Sequence, residues 1–334
     1  MFETYKPSGR FGILALPLAI VGVVAAALLS CVYHLGLYAI PLIYISFLLT
    51  WFFGTGLGMA GSYIVSKGKV RGLPLAILLG VLMTVAAISG KFYCQYQHAI
   101  FDTISAIKQS PDAAGLTDAE IRGLVAEEYD FSKHIQARVD RGWEIGRPGR
   151  NGGAPIAGPF VYLVWLIELG IIAWSAVGMP IAAAREPYSE KLDEWASEQE
   201  LVMTLPVTNE EMVRQIESAT TVDGLLEIPI PKTDQSDRFA VYRVNSIQGQ
   251  ELEDAYLSVD LLELSLDKEG NQQAKTKSLV QHAVLSAEQR KQLVENASLL
   301  KEAMTEYRKA VAEEASAAEN SAAFDQEAET AGGT

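Results

Sequence analysis

Glu168 is the residue of this sequence whose type and place most directly suggest chemistry, because it is an acid inside an apolar segment. It lies about nine residues into the stretch PFVYLVWLIELGIIAWSAVGMPIAAA, residues 159–184. A charge at the middle of a bilayer costs ~2.5–3.5 kcal/mol on the insertion scale, so such groups usually face other helices and often carry function. Glu168 could couple a proton or an ion, or it could be a neutral acid that hydrogen-bonds its helix into a bundle.

The partners that the sequence offers Glu168 are hydroxyl groups. Thr50, Thr84, Tyr44 and Ser46 lie in other apolar segments. No Lys or Arg is expected at a matching depth in those segments. Burial without a cation disfavours the charged carboxylate, so we expect Glu168 to be protonated, or hydrated in a cavity.

A glycine motif in the second apolar segment could be taken for a nucleotide-binding loop. GTGLGMAG, residues 54–61, contains the spacing G-x-G-x-x-G. That fingerprint requires a preceding strand, a following helix and an acidic residue about 20 residues later. Here the stretch 36–65 is uncharged, and the next acid is Asp102. We therefore expect Gly54 and Gly58 to pack one membrane helix closely against another, with a kink at these glycines as the alternative.

Cys31 and Cys94 are the two cysteines of the chain, and both are predicted near the extracytoplasmic face. An oxidising compartment there would permit a disulfide. Bridging requires Cα atoms within about 7 Å, so two unrelated thiols remain the alternative. The count excludes a four-cysteine zinc site and a Cys-x-x-Cys redox pair. The four histidines show no paired spacing, so we predict no metal site and no cofactor.

Two loops carry clusters of basic residues that could contact lipid head groups or another anion. Lys67, Lys69 and Arg71 stand together in SKGKVRG, between the second and third apolar segments. Arg147 and Arg150 lie in the Gly- and Pro-rich stretch GWEIGRPGRNGGAP. No helix N-terminus or phosphate-loop spacing accompanies these arginines, so a connector with snorkelling side chains is the simpler interpretation.

Four segments are long enough to cross a bilayer and would position these residues. A hydrocarbon core of ~30 Å needs ~20 helical residues, and the predicted spans are residues 11–33, 37–65, 73–93 and 159–184. Because Lys and Arg concentrate in cytoplasmic loops, SKGKVRG places both termini in the cytoplasm. In the extracytoplasmic loop, residues 94–156, a capping box at Thr117-x-x-Glu120 and the apolar spacing predict one or two amphipathic helices over 117–141.

The composition changes after the transmembrane domain, residues 1–184. Residues 185–334 hold 14 Lys and Arg against 30 Asp and Glu, whereas residues 1–184 hold 13 against 11. So acidic a segment argues against nucleic acid or an anionic bilayer as its partner, and it fits a basic protein partner or solubility. It contains no Walker motif and no Gly-x-Ser-x-Gly, so the sequence does not indicate an enzyme.

The helix and strand patterns in residues 185–312 predict a cytoplasmic α+β domain. Helices are predicted over 186–205 and from the capping box Thr208-x-x-Glu211. Alternating apolar residues predict four strands at 224–230, 237–247, 254–267 and 274–286, followed by a long helix to about residue 312. This order favours a four-stranded antiparallel sheet. Residues 313–334, rich in Ala, Glu, Ser and Gly, are predicted to be disordered.

Two short stretches resemble a known group of proteins. YKPSGRF, residues 5–11, directly precedes the first span, and GWEIGR, residues 142–147, precedes VYLVWLIELGII. Together they are similar to uncharacterised bacterial multipass membrane proteins over about residues 5–184. The resemblance implies a location in the bacterial inner membrane. It implies no activity and transfers no functional residue.

The sequence therefore predicts a four-helix membrane bundle that contacts the lipid bilayer and carries an acidic cytoplasmic α+β domain. Its expected function is that of a membrane-anchored interaction or scaffold protein, with a protein partner for the acidic domain. The alternative is a small transporter, or a subunit of one, with Glu168 as the proton- or ion-coupling residue. The oligomeric state does not follow from the sequence.

Overall fold

The structure is a computed structural model, and it describes residues 2–40, 43–110, 116–142, 157–231, 236–247, 255–269 and 271–331. The chain divides into two compact units. One unit is Pro7–Arg185, the membrane unit. The other combines Met1–Lys6 with Glu186–Thr334 and is called the α+β unit below.

The membrane unit confirms the prediction of four apolar spans. In the described residues, four helices are long and apolar enough to cross a bilayer, with mean hydropathies from 1.3 to 2.5. They are α1 (Ala15–Ala39), α2 (Ile43–Lys67), α3 (Leu73–Lys108) and α6 (Pro159–Arg185). Two shorter helices, α4 (Asp118–Glu128) and α5 (Phe131–Arg141), lie between α3 and α6.

Helix α3 is longer than the sequence pattern predicts. It has 36 residues, which at 1.5 Å per residue corresponds to about 54 Å, well beyond the ~30 Å of a hydrocarbon core. The helix therefore continues beyond the predicted span, which ends at residue 93. Residues 94–108 are more polar, but they contain no Gly or Pro, so the helix continues through them to Lys108.

Glycines on α2 let its backbone approach that of α6. A Cβ at Gly54 would lie 3.0 Å from the Ile172 Cα, and one at Gly58 would lie 2.5 Å from the Ser175 carbonyl oxygen. A Cβ at Gly56 would meet nothing within 4 Å. The glycines that the motif places at i and i+4 thus face α6, as small residues do where membrane helices pack closely.

The α+β unit contains the predicted four-stranded antiparallel sheet. Its strand order is β3-β4-β5-β6, a meander in which each strand pairs with the next. The elements are β1 (Tyr188–Ser189), β2 (Glu194–Trp195), β3 (Glu198–Pro206), α7 (Glu210–Ser218), α8 (Val222–Leu226), β4 (Arg238–Ser246), β5 (Ala255–Leu266), β6 (Gln272–Leu285) and α9 (Ala287–Ala331). Helices α7, α8 and α9 contribute to the same apolar core as the sheet.

Two elements of this unit differ from the prediction. The helix predicted over 186–205 is wrong, because that stretch forms β1, β2 and most of β3. Met203 and Leu205 alternate into the core with the period of a strand. The strand predicted over 224–230 is also wrong: Thr221 caps α8 by accepting a hydrogen bond from the Gly224 N–H at 3.2 Å.

The N-terminal residues complete the edge of this sheet. The Tyr5 N–H donates to the His282 carbonyl at 2.8 Å, and the Val284 N–H donates to the Glu3 carbonyl at 2.8 Å. Thr4 thereby pairs antiparallel with Ala283 on β6. Pro7, which has no N–H to donate, follows this short pairing.

Helix α9 continues beyond the predicted start of a disordered tail. It runs to Ala331 in the structure, whereas the composition led us to expect disorder from residue 313. Ala and Glu dominate this stretch, and both have high helix propensity. The next glycines are Gly332 and Gly333.

The contrast between Gly58 and Gly56 gives a matched test of the α2–α6 contact. Gly→Ala favours a helix by about 1 kcal/mol where space allows. We therefore expect Gly56→Ala to leave stability unchanged or to raise it. Gly58→Ala should lower it by about 1–3 kcal/mol, because its Cβ would overpack the α6 backbone.

The measurement is reversible unfolding of both variants in the same detergent. Equal effects of the two substitutions would contradict the close α2–α6 contact.

Candidate functional site

An ion pair between Lys91 and Glu168 lies inside the helix bundle. The Lys91 Nζ is 2.5 Å from both carboxylate oxygens of Glu168. The two side chains are 4% and 13% exposed. A bidentate pair with this burial neutralises both charges at a depth where either one alone would be costly.

The pair corrects the expectation that Glu168 has no cation at its depth. Lys91 lies two residues before the predicted end of the third span, where a lysine would normally reach the interface. Because α3 runs on to Lys108, Lys91 is instead in the middle of that helix. Its Nζ also lies 5.3 Å from the centre of the Phe92 ring.

Tyr33 and Thr50 extend the pair into a hydrogen-bonded chain. The Tyr33 hydroxyl donates to the Glu168 Oε1 at 2.7 Å, and it lies 2.6 Å from the Thr50 Oγ1. Helices α1, α2, α3 and α6 each contribute one residue, so the four-residue cluster joins all four apolar helices. Tyr33, like Lys91, is a member that sequence reasoning missed, since a tyrosine near a helix end resembles an interfacial residue.

Two of the other predicted hydroxyl partners, Thr84 and Tyr44, are directed elsewhere. Thr84 donates to the Gly80 carbonyl one turn earlier in its own helix, at 2.8 Å. Ser46 contributes its carbonyl, which accepts from Thr50 at 2.8 Å. Tyr44 is 86% exposed on the surface of the bundle.

A groove on the surface of the membrane unit reaches Glu168. It has a volume of about 190 Å³, and its lining is mostly apolar and aromatic: Ile88, Phe92, Tyr162, Trp165, Leu166, Glu168 and Leu169. The Trp165 ring contacts Phe92 and Tyr162 edge-on, with ring centres 5.0 and 5.5 Å apart. The ion pair is thus reached from the side of the bundle between α3 and α6.

A second polar layer contains His34, the residue after Tyr33 on α1, and His98, seven residues after Lys91 on α3. The His34 Nε2 lies 3.3 Å from the His98 Nδ1, and the His98 Nε2 lies 3.7 Å from the Asp102 carboxylate. His34 is only 6% exposed. The sequence places these two histidines near the same rim but does not predict their contact.

Helix α5 adds His134 and Arg138 to this layer. The Tyr129 hydroxyl lies 2.8 Å from the His134 Nδ1. Burial, together with the nearby guanidinium groups of Arg138 and Arg141, lowers the pKa of His134. Burial and the charge of Arg141 likewise lower the pKa of Arg138. Both shifts show that positive charge is disfavoured where these side chains lie.

The two cysteines form a disulfide between α1 and α3. The Cys31 and Cys94 Cα atoms are 5.5 Å apart, within the range that bridging allows. Cys31 is two residues before Tyr33, and Cys94 is three residues after Lys91. The disulfide therefore ties together the two helices that hold the Tyr33 hydroxyl and the Lys91 ammonium.

The residues predicted to contact lipid head groups differ in their location and exposure. Lys67 ends α2, and Lys69 follows with φ of +49°. Arg71 is only 7% exposed, and its N–H donates to the Arg10 carbonyl at 2.9 Å, so its side chain is not an exposed lipid contact. Arg147 and Arg150 lie outside the residues that the structure describes.

In the α+β unit the ionisable groups form ordinary surface and packing contacts. Arg243 pairs with Asp260, and Arg238 lies 2.6 Å from a Glu210 carboxylate oxygen. His282 is half-buried, and burial lowers its pKa. Among the described residues of the whole chain, no group of three or more His, Cys, Asp or Glu side chains could hold a metal ion.

Comparison with known proteins does not assign this site to a family. No protein-family model matches the chain, and neither a curated protein nor a solved structure matches it. The chemistry of the cluster must therefore be argued from its own geometry.

A double-mutant cycle measures how strongly Lys91 and Glu168 depend on each other. Removing one partner leaves a buried charge, which typically costs 3–5 kcal/mol, whereas replacing both by apolar groups is often close to neutral. We expect Lys91→Met and Glu168→Gln each to destabilise the protein by about 3 kcal/mol or more. The double variant should be more stable than either single one.

Unfolding free energies of the four proteins in one detergent provide the measurement. Additive losses would mean that the two residues act independently.

Proposed function

We propose that this protein is a scaffold or accessory protein of the bacterial inner membrane, with both termini in the cytoplasm, whose α+β unit binds a protein partner. The observation that carries the proposal is the pairing of Glu3–Tyr5 with β6. The segment before the first span and the chain after the last span belong to one folded unit. A unit that is connected to both the first and the last of four membrane spans is suited to holding a partner at the membrane.

Two observations at opposite ends of α1 support the orientation. The basic loop with Lys67 and Lys69 lies next to the start of α1, since the Gly12 N–H donates to the Gly68 carbonyl at 2.7 Å. Cys31 lies 16 residues beyond Ala15, which corresponds to about 24 Å along the helix. Basic loops favour the cytoplasm and disulfides favour an oxidising compartment. Both features therefore favour an orientation in which α1 begins at the cytoplasmic side and ends at the extracytoplasmic side.

Labelling of introduced cysteines with a membrane-impermeant maleimide tests this orientation. In a Cys31→Ser/Cys94→Ser background in intact spheroplasts, we expect a cysteine at the exposed position 136 to react. One at the exposed position 268 should react only after lysis. Reaction at position 268 before lysis would reverse the proposed topology.

The exposed face of α9 is the surface that best fits a protein partner. Glu295 and Glu302 lie seven residues apart, on one side of the helix. The apolar side chains of Val294 and Leu299 are exposed beside them, at 53% and 49%. Exposed apolar residues flanked by acids match a partner that offers a basic, partly apolar surface.

Charge reversal on α9 tests the proposal. We expect Glu295→Lys/Glu302→Lys to lower the yield of a stoichiometric partner that co-purifies with the full-length protein by about tenfold or more, because two attractive charges become repulsive. Glu198→Lys/Glu200→Lys on β3 changes the net charge equally at exposed positions and is the matched control. Quantitative mass spectrometry of the purified complexes gives the readout.

An unchanged yield after the α9 substitutions, or equal losses in both variants, would contradict this role for α9. Lys91→Met/Glu168→Gln, which leaves neither charge buried alone, should leave the yield of partner per folded protein unchanged, because the proposed function does not use the intramembrane carboxylate.

A second candidate function, proton or ion coupling, is favoured by the groove that reaches Glu168. Its carboxylate is accessible from the α3–α6 side and is linked to two hydroxyls and an ammonium group. Such a cluster can exchange a proton between groups without leaving an isolated charge in the membrane. If coupling is the function, Glu168→Gln abolishes the activity and the α9 charge reversal does not, which is the opposite of the outcome expected for a scaffold.

A further inference from the structure

Four buried polar atoms in the second polar layer of the membrane unit have no hydrogen-bond partner among the described residues. They are the His34 Nδ1, Gln95 Oε1, His134 Nε2 and Arg138 Nε. His34 and His134 are 6% and 3% exposed, so both side chains are more than nine-tenths buried. Buried polar groups in folded proteins nearly always have a partner, and four exceptions in one layer therefore need a common explanation.

The side chains of this layer are close enough to interact electrostatically. The charges of His98, Lys91, Arg138 and His134 all act on His34. Gln95 lies between Lys91 and His98 on α3, one helical turn from each. The layer therefore brings residues of α1, α3 and α5 around one region.

The charges of this region are not all paired within the part of the chain that the structure describes. Lys91 is neutralised by Glu168 at 2.5 Å, and Asp102, 55% exposed, faces the far nitrogen of His98. Arg138 forms no ion pair with a described residue, although its Nε is buried. A half-buried guanidinium without a counter-ion is unfavourable, and a bound water molecule would satisfy its hydrogen bonds without neutralising it.

The tautomers allowed by the surrounding contacts supply hydrogen-bond donors. When the Tyr129 hydroxyl donates to the His134 Nδ1, the neutral ring carries its proton on Nε2. The His34 Nδ1 carries the ring proton when its Nε2 accepts from the His98 Nδ1–H; in the other tautomer, which leaves the His98 Nε2–H for Asp102, it is an acceptor. The His134 Nε2 and the Arg138 Nε are therefore N–H donors, and the His34 Nδ1 is a third donor in the first of these tautomers. Turning the Gln95 amide by 180° adds its NH₂ group to the set.

We propose that this layer is a binding site for a small monovalent anion, a halide or the carboxylate of a small organic acid, held between α1, α3 and α5. The anion accepts hydrogen bonds from the Arg138 Nε–H, the His134 Nε2–H and the His34 Nδ1–H. It supplies the counter-charge that Arg138 lacks. A guanidinium forms charge-assisted hydrogen bonds with such an anion, and these are stronger than bonds between neutral groups. The site shares no residue with the Glu168 cluster and does not depend on the proposed scaffold function.

Thermal unfolding of the full-length protein in detergent tests this site. Sodium chloride or sodium acetate is titrated against sodium methanesulfonate at constant ionic strength, so that general screening is unchanged. A ligand that binds only the folded state raises Tm along a saturable curve. A shift with chloride alone identifies a halide site, one with acetate alone a carboxylate site, and one with both a general monoanion site; each supports the proposal.

Variants of α5 locate the site. Arg138→Gln and His134→Gln should each weaken the apparent affinity by about tenfold or more, as expected for the loss of a charge-assisted hydrogen bond. Arg141→Gln removes the same charge from an exposed position on the same helix and should bind like the unmodified protein. Arg138→Lys, which keeps the charge, should retain part of the affinity and covers the case in which Arg138→Gln fails to fold.

The proposal is overturned by either of two results. One is the absence of a saturable Tm shift with either anion in the unmodified protein. The other is an unchanged affinity in His134→Gln together with Arg138→Lys.

Discussion

The constraint on which the membrane unit depends is that Lys91 and Glu168 must stay together once lipid surrounds them. The two side chains are only 4% and 13% exposed, so each charge is tolerable only while the other is 2.5 Å away. The pair joins α3 to α6, and the hydroxyls of Tyr33 and Thr50 draw α1 and α2 to the same point. One polar cluster thereby fixes the relative rotation of all four apolar helices, since turning any of them would leave a polar group facing hydrocarbon.

The rest of the bundle is held by close packing of backbones. Lipid tails are as apolar as the helix surfaces, so hydrophobicity alone does not bring membrane helices together. Gly58 on α2 and Gly80 on α3 both approach α6, where an added Cβ would come within 2.5 Å of the Ser175 or Ala176 carbonyl oxygen. These contacts require the rotation that the polar cluster selects, because the glycines face α6 only in that orientation. Polar specificity and close packing therefore reinforce each other.

The sequence was sufficient for features that depend on local composition and failed where partners are distant. The four spans and the four-stranded sheet follow from apolar length and period, and both are confirmed. The partnership of Glu168 with Lys91 could not be foreseen, because their separation of 77 residues carries no local signal. The polar end of α3 also hid the fact that Lys91 is in the middle of a helix. Had the span been allowed to continue to Lys108, Lys91 would have been the obvious cation for Glu168.

The errors in the α+β unit have a similar physical origin. Residues 198–206 carry several helix-forming side chains, and only the burial of Met203 and Leu205 on the sheet shows that the strand period prevails there. Tertiary packing overrides weak local propensity in such a segment.

The N-terminal pairing with β6 is a more distant case of the same effect, since Thr4 forms a β-bridge only because the edge of a sheet is available nearly 280 residues later. That pairing also links the order of assembly to insertion. Glu3–Tyr5, which precede all four spans, cannot complete these hydrogen bonds until β6 has been made, after the last span. The folded α+β unit therefore requires that the chain enters and leaves the membrane unit, at Pro7 and Arg185, on the same side of the bilayer. An odd number of crossings would leave this edge of β6 unpaired.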